Sequence, residues 1–133
     1  MDATKKIILV VEDNLIAAMM IKNMLEKFGC IVERVDDGDK AVALVKQKHY
    51  DGISMDIGLP TMSGVNACIA IRAYEAQNHL DPVPIIAVTS NNSSEETKQY
   101  MDAGMQHVMD KPITPEKAKL FLSFCKQSAS LDG

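Results

Sequence analysis

No apolar run in this sequence is long enough to cross a bilayer. The longest, Leu15 to Ile21, falls far short of the roughly 18 residues a crossing needs. A secretory leader is not expected either, because the run Ile7 to Val11 after Lys5-Lys6 is too short and Glu12-Asp13 ends it. The expected location is the cytoplasm, away from membranes. Cysteine is scarce and poorly placed for chemistry. Cys30, Cys68 and Cys125 are odd in number, widely separated and without a Cys-x-x-Cys pair. That argues against a disulfide framework or a zinc site and leaves small buried apolar residues. His49, His79 and His107 are equally scattered and are assigned no chemistry. Positive charge is not in excess: 14 basic against 18 acidic side chains leave −4, so no direct nucleic-acid partner is expected. Internal repeats and low-complexity tracts are absent.

What is there is a chain of 133 residues, 47% hydrophobic and 24% charged, too apolar to be disordered and the right size for one core. The expected division is a folded domain over residues 1–127 and a small, polar, flexible tail over 128–133. Short apolar runs alternate with longer amphipathic ones, the pattern of βα units around a buried parallel sheet. Strands are expected at Lys6 to Val11, Ile31 to Val35, Gly52 to Met55, Ile85 to Thr89 and His107 to Met109. The first helix follows Asn14, with a stripe of Ala18, Ile21, Leu25 and Phe28 and a left-handed cap at Gly29. Two more are expected over Asp39 to Lys48 and over Gly64 to Ala76. Ser93-Ser94-Glu95-Glu96 reads as a capping box opening a polar helix that closes at Gly104 and should be the loosest element. The last helix has Thr114 as cap, Pro115 at its first position and a core stripe of Ala118, Phe121, Leu122 and Cys125. Leu120 and Phe124 lie off that stripe, where they suit a partner patch as well as tolerated surface positions.

In an open parallel sheet the ligand site lies at the carboxyl ends of the strands. The polar residues there are Glu12-Asp13, Asp56, Thr89-Ser90 and Asp110-Lys111-Pro112. Crowded carboxylates repel unless a divalent cation compensates them, and a hard, oxygen-seeking ion such as Mg2+ fits. With that ion held by Glu12 and Asp13, Asp56 becomes a nucleophile toward phosphorus, while Lys111 and the Thr89 hydroxyl neutralise and orient the transferred oxygens. Each acidic residue taken alone reads equally as a turn former or helix cap; the argument rests on their joint placement. Pro60 and Gly64 mark a turn-rich loop after Asp56, and Lys111-Pro112 is a pair able to adopt a cis bond.

The stretches ILVVEDN (Ile8 to Asn14), YDGISMDIGLPTMSG (Tyr50 to Gly64), PIIAVTSN (Pro84 to Asn91) and MDKPI (Met109 to Ile113) resemble the receiver domain of bacterial two-component response regulators and hybrid histidine kinases. The resemblance implies a flavodoxin-like (βα)5 doubly wound parallel sheet of order 2-1-3-4-5 and a cis Lys111-Pro112 bond. It implies that Asp56 accepts a phosphoryl group from a phosphohistidine of a histidine kinase or histidine phosphotransfer protein. Further implied are Mg2+ binding by Glu12, Asp13, Asp56 and the Gly58 carbonyl, and phosphoryl contacts from Thr89 and Lys111. Phosphorylation would then remodel the face of the fourth helix, fifth strand and fifth helix, where Tyr100, Leu120 and Phe124 are the expected exposed contacts for a dimer or effector.

Two departures stand out. Val108 occupies the position three before the lysine where receivers usually carry an aromatic ring that turns inward. Gly58 and Asn91 stand where this family tunes water access to the acyl phosphate, and glycine leaves that mouth open, so Asn91 is expected to govern the lifetime. Among competing readings, a haloacid dehalogenase-like hydrolase would need an acid where Gly58 stands. A flavodoxin-like cofactor binder would need a glycine- and hydroxyl-rich first loop in place of Glu-Asp-Asn. A receiver that signals by binding alone is the main alternative. The extended segment Ala73 to Pro84 is similar to receivers of hybrid sensor kinases and favours excision from a larger protein over a free-standing chain.

Overall fold

A computed structural model describes residues 5–90 and 93–126. Five βα units follow one another: β1 (Ile7–Val11), α1 (Leu15–Lys27), β2 (Ile31–Val35), α2 (Gly38–Val45), β3 (Gly52–Asp56), α3 (Gly64–Gln77), β4 (Ile85–Thr89), α4 (Ser94–Ala103), β5 (His107–Asp110) and α5 (Pro115–Phe124). All pairings are parallel, and the strand order is β2-β1-β3-β4-β5. The chain reverses direction across the sheet between β1 and β3, so the ends of those two strands flank the switch point.

Strand residues alternate between two apolar layers. Leu9, Val11, Ile53, Met55, Ile85 and Ala87 face α2, α3 and α4 through Ala41, Ala67, Cys68, Ile71 and Tyr100. Ile8, Val10, Val32, Ile86 and Met109 face α1 and α5 through Ile21, Leu25, Ala118, Phe121 and Cys125. Both faces of β3 and β4 are covered, which is why those strands read as unbroken apolar runs. Each large side chain so enclosed contributes about 1.5–3 kcal/mol of burial. Cys30, Cys68 and Cys125 are all free and buried.

Asn14, Ser93 and Thr114 cap their helices where the sequence puts them, and Ser63, not read as a cap there, does the same for α3; each accepts a backbone N–H of the first turn. Gly29 and Gly104 take positive φ, +91° and +113°. Three expectations need correction. Lys6 precedes β1. α2 starts at Gly38 and ends at Val45: Asp37 caps it, and past Val45 the ladder breaks where Gln47 and Lys48 both donate to the Leu44 carbonyl. Phe28 is 39% exposed, since it sits at the C-cap, where the backbone leaves the helical phase. Among the described residues no helix is long and apolar enough to cross a membrane. The expected 128–133 tail lies outside the described residues.

The β3–α3 loop is held from two sides. Asp37 accepts N–H bonds from Gly38, Thr61 and Met62 at 2.9–3.2 Å, and Gly64 donates to the Ile57 carbonyl at 3.0 Å. A side chain at Gly64 would overlap the Asp56 carbonyl oxygen and crowd Ile57 Cα, both backbone atoms. Gly64→Ala is therefore expected to lose about 1–3 kcal/mol of stability, read as a lower urea midpoint; an unchanged midpoint would show that the loop can yield.

Candidate functional site

Each strand end contributes one element of a single cleft. At the end of β1 the Glu12 N–H donates to the Val35 carbonyl at 3.1 Å, and the Glu12 carboxylate accepts from the Asn14 N–H at 3.1 Å. Glu12 is thereby turned inward, 2% exposed, while Asp13 stays at the surface. Asp56 closes the fully buried β3 and is 5% exposed. One carboxylate oxygen from each of Glu12, Asp13 and Asp56 lies within 4.8 Å of the others.

The cation comes from the far side of the sheet. Lys111 follows β5, and its N–H donates to the Thr89 carbonyl at 3.1 Å, which ties the end of β5 to that of β4. Its Nζ lies 3.1 Å from Asp56 Oδ1 and 3.3 Å from Glu12 Oε1. Lys111-Pro112 is cis, and Thr89 is buried beside these groups. Gly58 is exposed, its N–H 3.4 Å from Asp56 Oδ1, with open space where a side chain would stand.

The charges are unequal. Burial pushes the Glu12 carboxyl above its ordinary value, and the neighbouring Asp56 charge adds to the push; the Asn14 N–H and Lys111 pull the other way without cancelling it. Burial works against the Lys111 ammonium, but Asp56 and Glu12 outweigh it and hold that group charged to higher pH than usual. One ammonium against three carboxylates leaves a negative deficit in an all-oxygen donor set, which suits a hard divalent cation. A groove of about 420 Å³ at the opposite end of the sheet, lined by Lys46, Lys48, His49, Tyr74 and Glu75 among others, lacks this donor set.

Elsewhere the expectations divide. Tyr100 is not an exposed contact: it is 3% exposed, packed into the layer with α3. Leu120 is exposed, and Phe124 is partly covered by His107, whose ring stacks on it at a centroid distance of 4.5 Å. Val108 points to the opposite layer. Asn91 lies outside the described residues. The sequence reading passed over one surface. Leu15, Ile16, Met19 and Met20 are 52–72% exposed along α1, next to an apolar groove of about 110 Å³ lined by Ala17, Met20, Ile21, Lys111, Pro112 and Ile113. The signal was present, since the unbroken apolar run from Leu15 to Ile21 is wider than one helix face can bury.

Residues 8–122 match the model of the response regulator receiver domain. The chain belongs to that family. This receiver is 35% identical over 107 residues to the sensor protein GacS of Pseudomonas syringae pv. syringae, a match covering 80% of this chain and 12% of that protein. Among solved structures, it is similar to the receiver domain of the sensor histidine kinase PA1611 of Pseudomonas aeruginosa (35% identity, TM-score 0.79, 90% of this chain and 97% of that one). That structure has a magnesium ion coordinated in its active-site cleft. It also resembles a co-crystal of the Saccharomyces cerevisiae histidine phosphotransfer protein Ypd1 with the receiver domain of the response regulator Ssk1 (29% identity, TM-score 0.85, 91% and 89% coverage).

A carboxyl whose pKa is raised by folding destabilises the fold once ionised: the penalty is complete above the folded pKa and vanishes below the unfolded one. In chelator-treated protein, Glu12→Gln is therefore expected to raise Tm at neutral pH. The advantage should shrink as pH falls toward the ordinary value of 4.5. A variant melting below the wild type at pH 7 would contradict the electrostatic account.

Proposed function

We propose that this receiver takes a phosphoryl group onto Asp56 from a phosphohistidine of a histidine kinase or histidine phosphotransfer protein, and that the modification switches a partner-binding face. The observation that carries this reading is the meeting of Glu12, Asp13 and Asp56 with Lys111 Nζ 3.1 Å from Asp56 Oδ1. The Ypd1 complex of the related Ssk1 receiver supports the donor class. A cytoplasmic setting is proposed with it.

The donor set fits Mg2+: three carboxylates with hard oxygen atoms, one of them exposed to solvent, beside a Gly58 backbone that no side chain screens. Glu12, Asp13, Asp56 and the Gly58 carbonyl would hold the ion, which when bound supplies charge compensation for the entering phosphoryl oxygens. An Asp56 oxygen forms the new bond to phosphorus as the donor's P–N bond breaks, and the imidazole nitrogen leaves with the electron pair. Lys111 and the Thr89 hydroxyl neutralise and orient the phosphoryl oxygens. The activity is thus directed at the domain's own aspartate, including hydrolysis of the acyl phosphate it forms.

A phosphohistidine on another protein must be brought over this cleft, and the apolar face of α1 borders it. Leu15, Ile16, Met19 and Met20 with the groove at Pro112 and Ile113 offer the apolar surface for that encounter. On the output side, Leu120 and Phe124 remain the contacts proposed for a dimer or effector.

Incubation with acetyl phosphate and Mg2+ is expected to add about 80 Da by intact mass, and Asp56→Asn to abolish the gain; no gain in the wild type would overturn the reading and leave the binding-only alternative. Ile16→Asp is expected to slow transfer from a phosphohistidine protein by about tenfold, far more than labelling by acetyl phosphate. Equal slowing of both would remove α1 as the docking face.

A further inference from the structure

Arg34 is the penultimate residue of β2, and its guanidinium turns over the end of β1. Nε and Nη2 donate to the Glu12 carbonyl at 3.1 and 2.8 Å, and Nη2 also donates to the Asp13 carbonyl at 3.3 Å. Among the described residues Arg34 makes no salt bridge; its hydrogen bonds all go to these two carbonyls. The pair is informative. The Glu12 carbonyl belongs to the peptide plane before the Asp13 Cα, and the Asp13 carbonyl to the plane after it. Holding both planes fixes the two backbone torsions of Asp13 and so the direction in which its side chain leaves the chain.

Glu12 has its own anchor in the Asn14 N–H, and Asp56 has Lys111. Among the described residues no hydrogen bond holds the exposed Asp13 carboxylate. We propose that Arg34 is a positioning residue for the cation site, keeping Asp13 aimed at Glu12 and Asp56 through the backbone. This rests on the functional reading above. A second effect opposes it: a fixed positive charge near the site repels an entering cation. The rigid planar fork suits two carbonyls at once, where a lysine gives a single flexible point.

Two substitutions separate geometry from charge. Arg34→Lys keeps the charge and gives up the fork; Arg34→Met gives up both. In calorimetric titrations with Mg2+ alone, Arg34→Lys is expected to bind about tenfold more weakly than wild type, as for other groups that orient metal ligands, and Arg34→Met to lose less, because it also removes the charge that repels the cation. In acetyl phosphate labelling, the rate at low Mg2+ should fall while the rate at saturating Mg2+ stays near wild type, a split that general loosening of the fold would not produce. Thermal melts establish that each variant is folded, and Arg34→Lys carries the test should Arg34→Met fail to fold. An Arg34→Lys protein that is folded and binds Mg2+ as tightly as wild type overturns the proposal and leaves the functional reading standing. A wild-type chain that takes up no Mg2+ overturns both.

Discussion

The Lys111 ammonium between the Glu12 and Asp56 carboxylates is the interaction on which the site depends. Two acidic side chains buried within a few ångströms of each other would drive the strand ends apart, and this cation, entering from β5, is what lets β1 and β3 end together. The compensation is incomplete: one ammonium faces two carboxylates, and Asp13, which makes no salt bridge among the described residues, adds a third negative charge. That deficit suits the cleft to a positively charged ligand, and the fold supplies the stiffness to bear it. Covered on both faces, β3 cannot retreat; the Asp37 carboxylate braces the loop behind it, and the Thr89 carbonyl ties the lysine turn to β4. Crowding these charges costs stability, since burial holds the Glu12 carboxyl above its ordinary value.

Much of this architecture was legible in the residues because burial on both faces writes a simple signal. β3 and β4 are apolar throughout apart from Ser54, Asp56 and Thr89, and a run that short and that apolar has few other solutions than the middle of a parallel sheet. Caps were legible for a different reason: Asn14, Ser93 and Thr114 act on neighbours three residues away, so their chemistry is local. The misreadings fall where the deciding contact is distant or the helical phase breaks. Phe28 continues the α1 stripe on a helical wheel, but the helix has already ended there. Tyr100 stands in a polar helix whose weak periodicity does not reveal which side meets α3, and one large ring made the choice.

The site divides in the same way. Its carboxylates, hydroxyl and lysine could be collected from strand ends because position in a parallel sheet predicts convergence. Arg34 could not, since what it recognises is a pair of backbone carbonyls, and carbonyls leave no mark in the residue types. The exposed face of α1 was visible as an apolar run yet hidden by the stripe that explained half of it. Reading a helix for its core residues alone discards the information carried by the remainder.

The replacement of an aromatic ring by Val108 narrows how the site can be felt elsewhere. Valine is stiff at χ1, and this one, partly buried, packs against the layer of α2, α3 and α4, so it cannot make the long swing of an aromatic ring. β5 nevertheless touches both layers. Its Val108 packs on one side, its His107 ring stacks on Phe124 of α5 on the other, and its following turn is bonded to the Thr89 carbonyl. Under the proposed phosphorylation, charge added at Asp56 would act first on Lys111, 3.1 Å away, and on the neighbouring Thr89. From there the contacts that lead to α5 are the backbone of β5 and the ring pair at its outer face, so under that proposal the strand itself, rather than a rotating side chain, would carry the change to the far surface.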